Sequence, residues 1–127
     1  MKQAYTAEYY PPMPVLSVRL GYPAEKLSSE RFPAIIDTGA DITLVPLSLL
    51  DDIAAPMVTK THIRSQWGER RAVTVFAVDI EIAGLRLPSI EVIGDERGCE
   101  IVLGRNVLNK LKLLLNGPQR YAEIIEN

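Results

Sequence analysis

Residues 32–46 read FPAIIDTGADITLVP, and this stretch decides the fold. An apolar run enters an aspartate, passes Thr-Gly-Ala-Asp, and resumes as a second apolar run. Phe32 to Ile36 predicts one strand and Ile42 to Val45 another, with a tight loop at 37–41 between them. A buried carboxylate without a partner is expensive. Asp37, placed directly after Ile35 and Ile36, therefore needs a partner or a purpose.

On the N-terminal side, Leu16, Val18 and Leu20 alternate with Ser17 and Arg19, a half-buried strand that stops at Gly21. Residues 1–12 are polar and tyrosine-rich, end in Pro11-Pro12, and predict an extended arm. On the C-terminal side, Pro46 suits the first turn of a short helix through LSLLDDI. Met57 to Ile63 and Ala72 to Ile82 flank SQWGERR as a long hairpin, its tip at 64–71 and Gly68 near the turn. Within the second arm Val78, Ile80 and Ile82 alternate with Asp79 and Glu81. Leu85 and Leu87 follow the turn Ala83-Gly84, and Pro88 shifts the apolar phase to Ile90 and Val92. A loop at 95–98 leads to CEIVLG, a buried-strand run, then to RNVLNKL with helical spacing. LKLLLNGPQRYAEIIEN closes as two strands around Asn116-Gly117-Pro118, with 117–127 the C-terminal strand segment. The expectation is a single all-β domain over 1–127 with one or two short helices.

Composition narrows the function classes. The chain has 127 residues, 47% hydrophobic and 24% charged, with a net charge of −2, an ordinary globular balance. No global field favours nucleic acid or anionic lipid, so neither is expected as a partner. Lys60, His62, Arg64, Arg70 and Arg71 gather locally and read as a solvated hairpin. The N-terminus lacks a signal-peptide core and no apolar run approaches a membrane span, so the expected address is the cytoplasm. Cys99 is the only cysteine, which excludes an intramolecular disulfide, and reads as a small strand residue. His62 is the only histidine, and Asp51, Asp52, Asp95 and Glu96 lack calcium-loop spacing; no cofactor or metal is expected.

The two halves echo each other. Each carries strands and then an apolar run ending in glycine and a short helix: AIIDTG in the first half, EIVLG in the second. Only the first copy carries the acid.

IIDTGADITLVP, the hairpin SQWGERR and IVLGRNVLNKLKLLL, in this order and spacing, resemble a retropepsin, the single-domain class of aspartic protease. The likeness covers about residues 13 to 116. It implies a closed β-barrel subunit whose hairpin is a flap. It also implies that Asp37 is the catalytic carboxylate, that the Thr38 hydroxyl locks the loop to a partner loop, and that Gly39 lets the backbone approach substrate. Ala40, Asp41, Trp67 and Gly68 would then contact substrate. Leu103 and Gly104 would support the loop from beneath, and Arg105 would pair with Asp41 in a buried or half-buried ion pair whose loss costs several kcal/mol.

The mechanism so implied needs two carboxylates about one water, one ionised as general base and one protonated to polarise the scissile carbonyl. At about 3 Å and an effective dielectric of about 20, two full charges repel by roughly 5 kcal/mol, so such a pair holds one proton between them. This chain has one DTG and a VLG where a second would stand. The resemblance therefore implies a symmetric homodimer with Asp37 from each copy on the two-fold axis, acting as an endopeptidase on extended polypeptides. The terminal segments Tyr5 to Tyr10 and Tyr121 to Glu126 would build an intersubunit sheet or fold back as edge strands. The flap departs from the viral pattern, with the single glycine Gly68 between Trp67 and Glu69. A dimer of the same shape that binds peptides without cutting them is the alternative reading.

Overall fold

Alternation of apolar residues along short segments makes a β protein here. The computed structural model describes residues 1–64 and 67–126. In chain order, the strands are β1 (Lys2–Ala4), β2 (Val15–Gly21), β3 (Phe32–Ile36) and β4 (Thr43–Pro46), followed by helix α1 (Leu47–Asp52). Next come β5 (Met57–Arg64), β6 (Arg70–Ile82), β7 (Leu85–Asp95) and β8 (Ile101–Leu103), then helix α2 (Arg105–Leu108), β9 (Leu113–Asn116) and β10 (Tyr121–Ile124).

Seven strands run in the order β2-β3-β8-β4-β7-β6-β5, and a further pairing of β2 with β6 closes the first six into a barrel. Closure leaves those six strands without a free edge. β5 hangs outside the ring on β6 alone, and together they form the projecting hairpin. Leu16, Val18, Leu20, Val45, Ile80, Ile82, Val92 and Leu103 fill the interior, each fully or nearly fully buried. The predicted alternation of β2 holds: Leu16, Val18 and Leu20 are buried, and Ser17 and Arg19 only partly so.

The echo between the halves has a structural counterpart. β3 and β8 lie side by side and parallel, with Ile35 opposite Val102 and Ile36 opposite Leu103. The register therefore carries Asp37 and Gly104 out of the barrel together, at the ends of neighbouring strands.

Three expectations need correction. The alternation in 78–82 places Asp79 with Glu81 on the polar side, yet Asp79 is 1% exposed. The β6–β7 register shifts between Val78 and Ile80, a bulge that re-aims the side chain. Its carboxylate accepts from the backbone N–H of Ala24 (3.0 Å) and of Ser89 (2.8 Å) and pairs with Arg86 (2.8 Å). Burial pushes this carboxyl up, but the two N–H groups and the guanidinium outweigh burial and hold it below its ordinary value.

Cys99 is not a strand residue: it is exposed, in the loop before β8. The N-terminal arm is not simply extended either. β1 pairs with β10, and β10 with β9, so the terminal strands of this chain form their own three-stranded sheet. Thr6 bridges Met13, and the Tyr9 hydroxyl donates to the Glu100 carboxylate, which fastens the segment between β1 and β2 to the barrel. Among the described residues no helix is long and apolar enough to cross a membrane.

Candidate active site

The loop 37–41 begins where β3 runs out of partners. The Asp37 N–H donates to the Leu103 carbonyl (3.1 Å), the last link of the parallel ladder. The chain then turns sharply. The Ala40 N–H returns to the Asp37 carbonyl (3.2 Å), and the Gly39 N–H donates to Asp37 Oδ1 (2.9 Å). The carboxylate is thus aimed by its own loop. A Cβ at Gly39 would lie 3.2 Å from that oxygen, closer than side-chain carbons ordinarily come.

Asp37 is exposed in the single chain, as are Thr38, Gly39 and Asp41. The cost of burying a carboxylate does not arise within one chain, because the strand ends at Ile36 and the acid stands beyond it.

The loop is held from below by the second half. The backbone N–H groups of Arg105 and Asn106 donate to the carbonyls of Ala40 (2.8 Å) and Asp41 (3.3 Å). The Arg105 guanidinium donates to the Thr38 carbonyl (2.7 Å) through one nitrogen and pairs with the Asp41 carboxylate through the other. One side chain thus grips both ends of the loop. The pair is not buried: the Arg105 and Asp41 side chains are 43% and 81% exposed. Screening by water makes an exposed pair worth about 0–1 kcal/mol, not several. Gly104 is where the two segments cross, since a Cβ there would stand 2.6 Å from the Ile42 carbonyl carbon and 2.8 Å from its oxygen.

Two residues of this support were not singled out in the sequence. Thr43, fully buried, donates its hydroxyl to Asn106 Oδ1 (2.9 Å) and accepts from the Gly104 N–H (3.0 Å). Asn106 also accepts from the Thr43 N–H (3.0 Å) and donates to the Glu91 carbonyl (2.8 Å). The signal was a hydroxyl at an inward position of the apolar run ITLVP, which needs partners in the core.

Beside the loop lies an open cleft of about 500 Å³. Gly39, Ala40 and Asp41 line it from the loop, Ile42, Leu44 and Ile93 from the barrel, and His62, Ile63 and Arg64 from β5. Ala40 and Asp41, two of the expected substrate contacts, line this cleft. Trp67 and Gly68 are not among the residues lining this cleft. Trp67 is 82% exposed, and Gly68 takes φ of 83°, a left-handed turn conformation that suits glycine. Ser65 and Gln66 of the predicted tip at 64–71 lie outside the described residues.

No protein family and no curated protein matches the chain in sequence. Solved structures do match in shape. A retropepsin-like aspartic protease from Rickettsia conorii aligns over 96% of this chain and 86% of its own, with a TM-score of 0.64 at 10% identity. The fold is that of the retropepsins. The EIAV protease, solved with the inhibitor HBY-793, aligns over 85% of this chain and 93% of its own, with a TM-score of 0.57 at 19% identity. The simian foamy virus (mac) protease covers 75% and 91%, with a TM-score of 0.55 at 21% identity. At these identities the likeness is one of retropepsin fold. What the site does has to be argued from its own residues.

Proposed function

We propose that this chain is an aspartic endopeptidase, active as a symmetric homodimer on extended polypeptides. One observation carries the reading. An exposed carboxylate, Asp37, stands at the open end of a closed retropepsin-fold barrel, on a loop braced by Leu103, Gly104 and Arg105 and beside an apolar cleft.

A lone exposed carboxylate is a poor base for amide hydrolysis, and the loop in one copy supplies one. A second copy, brought up on a two-fold axis, adds Asp37 of the partner subunit. The two acids then hold one proton and one water between them. The ionised member takes a proton from the water as it attacks the scissile carbonyl, and the protonated member donates to the carbonyl oxygen. Thr38, exposed beside Asp37, would bond across to the partner's loop and fix the spacing of the acids. Substrate adds as a strand between the loop and the β5–β6 hairpin, with the Asp41 side chain and backbone groups of the loop available to its main chain. Trp67 and Gly68 at the hairpin tip would close over it. No metal or cofactor enters this chemistry, and the setting proposed is the cytoplasm.

The test is cleavage of a peptide library read by mass spectrometry, with wild type and Asp37→Asn side by side. Cleavage that the substitution abolishes supports the protease. Peptide binding without cleavage by the wild type supports the non-catalytic module instead.

A further inference from the structure

The hairpin that overhangs the cleft carries an unusual arrangement of charge. In the β5–β6 ladder His62 faces Ala72 and Arg64 faces Arg70. Strand residues alternate faces and directly paired residues share one, so Lys60, His62, Arg64 and Arg70 lie on the same face of the hairpin. Two guanidiniums placed directly opposite each other repel and destabilise the hairpin. On the next pair, and so on the opposite face, Arg71 faces Ile63; a second cleft of about 440 Å³ brings Ile63, Arg70 and Arg71 together with Glu69 and with Arg97 from the loop after β7, and Glu96 lines a neighbouring cavity with Arg71 and Arg97. Among the described residues none of Arg64, Arg70, Arg71 and Arg97 is in an ion pair. This concentration sits on a chain whose net charge is −2.

Arg64 lines the first cleft and faces a residue of the second. It lines the cleft beside the Asp37 loop, where the only carboxylate, Asp41, is already held by Arg105. It also stands opposite Arg70 at the start of the second cleft. An unpaired cation at the edge of a cleft walled by Ile42, Leu44, Ile63 and Ile93 asks for a ligand with an apolar body and an anionic neighbour.

We propose that Arg64, with Arg70 opposite it on the same face, selects peptides carrying Asp or Glu beside the apolar residue that fills the cleft. This rests on the peptide-binding reading above and deepens it. A carboxylate brought in by the peptide pairs with Arg64 and relieves its repulsion with Arg70. A guanidinium holds a carboxylate through two parallel N–H bonds, which gives a preference for carboxylate over amide of the same size.

The experiment uses a peptide series with a fixed apolar core, in which one flanking position at a time carries Glu, Gln or Lys. Binding is read by fluorescence anisotropy on the Asp37→Asn chain and turnover on the wild type, at low and high salt. The expected result is a position at which Glu exceeds Gln by about fivefold in affinity, less at high salt, with Lys worst. Arg64→Glu should invert that order and favour Lys, a readout that a merely misfolded variant would not give. Arg70→Gln should weaken the preference without inverting it. Acidic selectivity in binding with no turnover by the wild type would keep this inference and remove the protease. Equal handling of Glu and Gln peptides would overturn it. So would the absence of peptide binding, or preferential binding of an RNA oligonucleotide of equal charge.

Discussion

Arg105 holds Thr38 and Asp41 at once: its guanidinium donates to the Thr38 carbonyl at 2.7 Å and pairs with the Asp41 carboxylate. The two contacts bracket the loop that presents Asp37, so the residue positions the acid without touching it. Because both side chains of the ion pair are well exposed, Arg105→Ala should cost only about 1 kcal/mol in thermal or denaturant unfolding. Peptide turnover should fall much further, since the loop loses its brace. Arg105→Lys, which cannot span both acceptors with one fork, should resemble Arg105→Ala in turnover. A kcat/KM ratio no larger than the stability change explains would deny Arg105 the positioning role.

Thr43 makes the opposite prediction, large in stability. Thr43→Val keeps shape but strands the buried Gly104 N–H and removes the donor to Asn106 Oδ1. The expected loss is about 1–3 kcal/mol in denaturant unfolding. Thr43→Ser, which keeps the hydroxyl, should recover most of it.

Gly104 and Gly117 form a matched pair. Gly104→Ala forces a carbon to within 2.6 Å of the Ile42 backbone, so the crossing strands must separate, at a cost of about 1–3 kcal/mol or more. At Gly117 a Cβ meets nothing within 4 Å, and Gly117→Ala should be nearly neutral. The difference in melting temperature between the two variants checks the crossing.

Asp79 governs the acid limb of stability. Its carboxyl is held below its ordinary value in the folded chain, so its contribution is fully present above the unfolded pKa of about 4 and is lost as pH falls through the lower folded value. Asp79→Asn should destabilise the protein at pH 7 by about 2–4 kcal/mol and flatten the fall in stability below about pH 4. Urea unfolding of both chains at several pH values reads the slope directly.

Much of this site was legible because its parts are contiguous. AIIDTGADITLVP contains a strand, the loop and the returning strand, and VLGRN contains the support beneath, so neighbours in sequence are neighbours in the site. Gly104 was readable through the retropepsin likeness of IVLGRN, which implies support beneath the loop, and the close crossing with Ile42 gives that support its form. Asp79 was not. Its partners come from two other places in the chain, Ala24 after β2 and Arg86 and Ser89 on β7, and alternation alone assigns an acid between two buried residues to the polar face. The terminal strands show the same limit from the other side. Lys2–Ala4 has no apolar pattern of its own and becomes a strand because β10 lies beside it. The Arg105–Asp41 pair was placed correctly but its burial was not, since exposure depends on what covers the loop and sequence does not show that.

The central claim is that catalysis needs Asp37 from two chains at once. The most direct measurement mixes wild type with Asp37→Asn at constant total protein, allows subunits to exchange, and follows cleavage of one peptide. A dimer-borne dyad predicts activity falling as the square of the wild-type fraction, to about a quarter in an equal mixture, because mixed pairs carry a single catalytic acid. Activity proportional to the wild-type fraction, about half in that mixture, would show that each chain works alone and would contradict the account.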